Sequence, residues 1–171
     1  MAIIVETGSI VTGANSYVSR EDYIIYASTL GVTVADDAIA DQQLVKAAMF
    51  IDQHESNIKG CKVTRDQPMA FPRSGVCIDG WSWSHTEIPR NVILCQVQTA
   101  LDIKAGIDPW NRPANPKLIK KRSRVEGAID VEYAVGNGAT GQKLSRSSTA
   151  DALLNSLLVR SGLFSVQLER S

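Results

Sequence analysis

The chain has 171 residues, a formal net charge of +0 and a hydrophobic fraction of 44%, which together are typical of one globular domain with a single core. No apolar run is long enough to span a membrane, so we expect no membrane partner. The three cysteines, Cys61, Cys77 and Cys95, are far apart, which favours free thiols in a reducing cytosol over a disulfide framework.

The charge is unevenly distributed along the chain. Residues 1–60 carry eight acidic against three basic side chains, whereas residues 112–171 carry ten basic against five acidic. A molecule of this kind can bind its own copies head to side, or place one end on an acidic partner. An imbalance without functional meaning is the alternative at this point.

Two helices are predicted after an extended lead-in over residues 3–18. Ser19 is a good N-cap for the first, which runs to about Thr29 and ends at Gly31. The second begins near Asp36–Asp37 and ends before Gly60. Helical spacing predicts these inward residues: Tyr23, Tyr26, Ala27 and Leu30 in the first helix, and Ile39, Ala40, Leu44, Ala47, Ala48 and Ile51 in the second.

A proline loop, Gln67–Gly75, follows these helices. Pro68 and Pro72 hold it extended, and Phe71 between them is its one large apolar side chain, which predicts a buried anchor. Pro89 then suits the first turn of a third helix that stops at Gly106. Its predicted inward residues are Val92, Ile93, Val97, Ala100, Leu101 and Ala105, the longest apolar stripe of the chain.

The remaining chain changes character. Residues 117–135 are rich in β-favoured side chains and predict a long, charged hairpin with its turn near Glu126–Gly127. A glycine-rich joint over 136–141 leads to a last helix capped by Ser148 and ended by Gly162. The final segment alternates apolar and polar residues, which predicts a strand that pairs with a partner; its candidate interface residues are Leu163, Phe164, Val166 and Leu168.

The sequence contains no recognised catalytic, cofactor-binding or metal-binding constellation, so we expect no enzyme and no cofactor. His54 and His85 lie far apart without ligands at a suitable spacing, and Cys95 falls on an apolar helix face. The glycine run 136–141 lacks the ending of a phosphate-binding loop. The pair Trp81 and Trp83 can stack on bases or sugars, but the favoured interpretation is a loop fastened to the surface by its rings.

A basic patch precedes the predicted strands and contains no acidic residue: Arg112, Lys117, Lys120, Lys121, Arg122 and Arg124. Such a patch can neutralise phosphates, and binding would then weaken with salt. Only Trp110 is aromatic nearby, so a stacking platform is missing. A solvated hairpin face, or a contact to an acidic protein, is therefore the favoured interpretation.

The placed motifs resemble those of a family of small tailed-phage and prophage proteins. The shared segments are Ile3–Gly8, Ala14–Ser19, the loop Ala70–Gly75, the Ile88–Pro89 helix start and the strand Ala128–Tyr133. Members are often labelled DnaT-like single-stranded-DNA-binding proteins, and their arrangement is also similar to that of head-to-tail adaptors. The likeness covers the chain from Ile3 to about Tyr133.

The adaptor resemblance implies a ring of about twelve copies beneath the portal, in the neck of a virion assembled in the bacterial cytoplasm. It implies as partners the chain itself, the portal protein, a tail or next neck protein, and packaged DNA in the channel. The expected fold is mainly α, a small bundle of about four helices (residues 1–110), with a basic β-hairpin and joint (111–145), then a last helix and extended C-terminal arm (146–171). DnaT-like single-stranded-DNA binding is the alternative function.

Overall fold

The computed structural model describes residues 2–35, 37–110, 120–123, 131–133 and 148–159. Four α-helices form most of this part: α1 (Arg20–Thr29), α2 (Ala38–Asp52), α3 (Arg90–Lys104) and α4 (Ser148–Leu157). Six short strands add three antiparallel pairs. They are β1 (Cys61–Lys62) with β2 (Arg73–Ser74), β3 (Cys77–Ile78) with β4 (Trp81–Ser82), and β5 (Lys120–Ser123) with β6 (Val131–Tyr133).

The N-terminal segment forms a closed loop ahead of α1. Residues Val5 and Ser16 form a β-bridge, and the Glu6 side chain is buried inside the loop they close. The two carboxylate oxygens of Glu6 accept hydrogen bonds from the backbone N–H groups of Gly8, Ile10 and Val11 at 2.8, 3.0 and 2.8 Å. This local network stabilises a segment that has no long strand of its own, because each donor would otherwise be unsatisfied.

Helices α1 and α2 begin at the residues their caps predict. Ser19 Oγ accepts from the backbone N–H of Asp22, and the Asp37 carboxylate accepts from the N–H groups of Ile39 and Ala40. A partly buried ion pair then joins the helices, since Arg20 Nε and Nη2 donate to the two oxygens of the buried Asp41 at 2.7 Å each. This fork fixes the start of α1 against the first turn of α2.

Helix α3 is the centre of the core, packed against both α2 and α4. Val92, Val97 and Ala100 are fully or almost fully buried, as their spacing predicts. Gln96 is buried among them, where its amide donates to Leu44 O at 2.9 Å and to Ser16 Oγ at 2.7 Å. Its Oε1 accepts from the Tyr17 N–H at 2.8 Å, so the N-terminal segment is joined to two helices.

The mainly helical fold class is confirmed: four helices with small antiparallel hairpins. Most of the predicted inward residues are buried, but Leu30 and Ile39 are 52% and 60% exposed and Ala105 is also exposed. Leu30 and Ala105 are the C-cap residues of α1 and α3, where the backbone leaves the helical path, so spacing alone places them wrongly. Ile39 lies in the first turn of α2, on the outward face of that helix. None of the helices in the described ranges is long and apolar enough to cross a membrane.

The end of α4 also differs from the prediction. The helix ends at Leu157, five residues before Gly162, because the next residue leaves the helix to form an antiparallel bridge with Ile58. Residues 160–171 lie outside the described part, as does most of 111–147, so the domain limits proposed within those ranges are not tested. The pair β5–β6 falls within the predicted hairpin.

Candidate contact surface and the loop that supports it

The proline loop is held to the core through Tyr17 and Asp52. The Tyr17 hydroxyl donates to Asp52 Oδ1 at 2.5 Å, and that same oxygen accepts the Ala70 N–H at 3.0 Å. The Phe71 N–H donates to the Tyr17 hydroxyl at 3.2 Å. The Phe71 ring is fully buried, as predicted, and meets the Tyr17 ring edge-on at 6.2 Å. The Phe71–Pro72 peptide bond is cis. Phe71 and Pro72 therefore belong to the folded core.

The pKa values of both partners in the Tyr17–Asp52 hydrogen bond are raised. Burial raises the pKa of the Asp52 carboxyl above its usual range, and the hydrogen bonds from Tyr17 and Ala70 offset only part of that effect. Burial, together with the neighbouring Asp52 charge, raises the pKa of the Tyr17 phenol well above its ordinary value. Desolvation disfavours the charged form of each group. The hydrogen bond that holds the loop therefore does not depend on ionisation of the Tyr17 phenol.

Gln67 closes the first half of the proline loop. Its Oε1 accepts from the N–H groups of Val63 and Thr64 at 3.0 and 3.1 Å, and its Nε2 donates to the carbonyls of Met69 and Pro72 at 2.9 and 3.0 Å. The Gln67 residue is 5% exposed, and the two bonds that its Nε2 donates are buried. Its role was not predicted, because a lone glutamine carries no sequence signal of this kind.

Arg73 closes the second half of the loop. Its guanidinium donates to the carbonyls of Ile58, Lys59 and Gly60 at 3.3, 3.0 and 2.8 Å. A fourth bond reaches Ala70 O at 3.3 Å. The side chain is buried, so this arginine serves main-chain carbonyls and not an external ligand.

The two tryptophans of the segment after the loop have opposite environments. Trp83 is partly buried and packs on the core, in agreement with the structural interpretation. Trp81 is 77% exposed, so that interpretation is wrong for it. The difference arises from a tight turn at Asp79–Gly80, whose φ angles of +53° and +83° carry Trp81 out on the β3–β4 hairpin. An Asp-Gly pair between β-favoured residues is the sequence signal that would have revealed this hairpin.

Further apolar side chains point outward from the first two helices. Ile25 of α1 is 62% exposed, and Ile39 and Met49 of α2 are 60% and 59% exposed. On α2 these two residues share one outward face with Gln42 and Lys46, at spacings of three and four residues. A large apolar side chain in water gains stability when a partner covers it, so this face is a candidate contact surface.

The described core is acidic. Where side chains are described (2–35, 37–110 and 149–159), thirteen acidic residues face eight basic ones, and the rest of the chain holds five acidic and ten basic residues. Three of the predicted basic-patch residues, Lys120, Lys121 and Arg122, lie on β5. Outside the described residues lie the other three, Arg112, Lys117 and Arg124, and the four candidate arm residues, Leu163, Phe164, Val166 and Leu168.

Each of the cysteines and histidines either packs against neighbouring residues or is exposed on the surface. Cys95 is fully buried, as predicted, and its thiol faces Ala150 O at 3.8 Å. Cys61 and Cys77 are exposed free thiols. The His54 ring stacks edge-on with Phe50 at 4.9 Å, and His85 is exposed. Among the residues with described side chains, no three His, Cys, Asp or Glu residues are grouped as metal ligands would be.

A protein-family model matches residues 1–171, the whole chain. The family is described as "Putative DnaT-like ssDNA binding protein". The chain belongs to this family. No curated protein and no solved structure matches the chain. Among the described residues of this family member, those that build the proline loop are structural, and the exposed large apolar side chains include Trp81, Ile25 on α1, and Ile39 and Met49 on α2.

Proposed function

We propose that this protein is a head-to-tail adaptor of a tailed phage: a non-enzymatic virion protein that forms a ring under the portal and joins it to the tail. The partners in this proposal are further copies of the chain, the portal protein and the next neck or tail protein, with DNA passing through the channel. The observation that carries the proposal is the separation of charge between the acidic helical core and the basic remainder.

Charge separation of this kind suits a head-to-tail ring. In such a ring each subunit offers two different surfaces, and an acidic surface can meet a basic one at every interface. The acidic core also repels phosphates, so it is a poor platform for a nucleic acid. The resemblance in the proline loop and the helix start at Pro89 indicates the family alone, and the description of that family favours the second candidate, single-stranded-DNA binding.

The exposed apolar side chains give the ring a second source of stability. Ile39 and Met49 share the outward face of α2, and burying the exposed part of each would contribute about 1–2 kcal/mol per interface. A contact of this kind would be repeated around the ring.

Native mass spectrometry and electron microscopy of the purified protein, alone and with its portal, test the proposal. We expect a closed ring whose copy number matches the portal. The double variant Ile39→Gln with Met49→Gln should reduce assembly, whereas Gln42→Ala on the same exposed face is the matched control. A protein that is monomeric alone and does not bind the portal would contradict the proposal.

Single-stranded-DNA binding is a second candidate, favoured by the family description and by one structural feature. Trp81 is exposed on a tight hairpin and offers an indole face on which a base can stack. The basic patch, of which Lys120, Lys121 and Arg122 lie on β5, would supply the charge.

Titration of labelled single-stranded DNA at several salt concentrations separates the two candidates. The adaptor proposal expects weak binding that falls steeply with salt and is unaffected by Trp81→Ala. Tight, salt-resistant binding that Trp81→Ala weakens about tenfold or more would favour the second candidate, since base stacking contributes about 1–3 kcal/mol. Ile25→Ala removes another exposed apolar side chain and is the control.

A further inference from the structure

We infer that Arg73 and Lys59 are positioning residues that fix the point and direction at which the chain leaves the helical core after α4. The proline loop would then determine, through these two residues, the position from which the C-terminal arm starts. The arm's docking role rests on the proposed function, but the positioning itself is a property of this chain alone.

Arg73 holds the main chain just before strand β1 through several hydrogen bonds at once. Three consecutive carbonyls, those of Ile58, Lys59 and Gly60, face one guanidinium. Arginine presents donors in a rigid planar fork, which lysine cannot reproduce. The main chain at 58–60 is therefore held in one position relative to the proline loop.

Lys59 joins this segment to the end of α4 through two hydrogen bonds. Its backbone N–H donates to Leu157 O at 2.9 Å, and its Nζ donates to Ser156 O at 2.8 Å. Both carbonyls belong to the last turn of α4, where helix carbonyls lack partners within the helix. The Val159 N–H then donates to Asn57 O at 2.8 Å, which completes the bridge around Ile58 and Leu158. The end of α4 and the first residues after it are thus fastened to the segment that Arg73 holds.

A close approach of the two chain segments at Gly60 allows this arrangement. Gly60 has a φ of +73°, and a Cβ at this position would lie 2.3 Å from Ser74 O. Only glycine lets β1 and β2 come so close that Arg73 reaches back to the carbonyls. A series of hydrogen bonds therefore connects the proline loop, through Arg73 and the 58–60 segment, to Val159.

Amide hydrogen exchange on the full chain tests the inference without a portal. In Arg73→Lys and in Lys59→Met, we expect the Val159 amide to exchange about tenfold faster or more, which corresponds to losing one charge-assisted hydrogen bond. The Ala48 amide in α2 should keep its rate. Arg90→Lys and Lys46→Met, at exposed helix positions, are the matched controls and should change neither rate.

Two outcomes overturn the inference: an unchanged Val159 rate in both variants, or equal acceleration at Val159 and Ala48, which shows general destabilisation. If Arg73→Lys does not fold, Lys59→Met decides by the same criteria. Portal binding is measured separately. A fast Val159 amide with unchanged portal affinity would refute the docking role of the arm and leave the positioning role intact.

Discussion

Replacing Asp52 provides the sharpest test of how the proline loop is held. Asp52→Ala removes the oxygen that accepts both the Tyr17 hydroxyl and the Ala70 N–H, and both residues are almost fully buried. Asp52→Asn keeps an acceptor oxygen in the same place but removes the charge. The pair of variants therefore separates hydrogen bonding from charge.

The expected magnitudes differ between the variants. Each buried donor left without an acceptor costs about 1–3 kcal/mol, so Asp52→Ala should lower the free energy of unfolding by about 2–4 kcal/mol after the desolvation cost of the carboxylate is recovered. Asp52→Asn should stay within about 1 kcal/mol of the parent at neutral pH, because burial already disfavours the charged carboxylate.

The pH dependence of the free energy of unfolding tests the role of Asp52 independently. Since burial raises the pKa of Asp52, the native state holds more protons than the unfolded state between the ordinary and the raised pKa values. The contribution of Asp52 to stability is therefore greatest below its unfolded pKa and falls as pH rises through its folded pKa. Because asparagine does not titrate, the free energy of unfolding of Asp52→Asn should fall less with rising pH than that of the parent.

Urea unfolding followed by circular dichroism between about pH 4 and pH 8 measures the stability of each variant and its dependence on pH. An Asp52→Asn variant as unstable as Asp52→Ala would refute the argument, because the charge and not the acceptor would then hold the loop. An unchanged midpoint for Asp52→Ala would show that the two donors find water instead.

Further outcomes are expected from the structure and, for the C-terminal arm, from the sequence. Phe71→Ala should cost about 3–5 kcal/mol, seen as a lower melting temperature, because the ring is fully buried; an unchanged value would contradict that burial. Gly60→Ala should cost at least about 1–3 kcal/mol in urea unfolding from its positive φ alone, and an unaltered midpoint would argue against the close approach. Arg20→Met should destabilise the protein more at pH 7 than at pH 3, since the hydrogen bonds from Arg20 lower the pKa of Asp41 and their contribution is lost as pH falls. Equal losses at both pH values would rule that out. Deleting residues 163–171 should leave the helical circular dichroism intact and abolish portal binding in a pull-down; undiminished binding would exclude the arm as the docking element.

The sequence alone determined the helices and most of their inward faces. Caps are local, so Ser19 and Asp37 mark the starts of α1 and α2 without knowledge of the rest of the chain. Helical spacing is equally local, and it placed Leu44, Val92 and Val97 in the core. The burial of Phe71 followed from being the one large apolar side chain in a proline-fixed loop.

The tertiary structure alone decided the roles of the buried polar residues. Asp52, Gln67 and Arg73 have no distinctive spacing, and each acquires its role by meeting main-chain groups brought close by folding. For the two tryptophans the Asp79–Gly80 pair is a local turn signal, but only the packed structure shows that Trp81 is exposed while Trp83 packs on the core. A hydrogen-bond partner distant in sequence leaves no periodic pattern, whereas a cap or an apolar face does, and this is why local structure was predictable and the loop network was not.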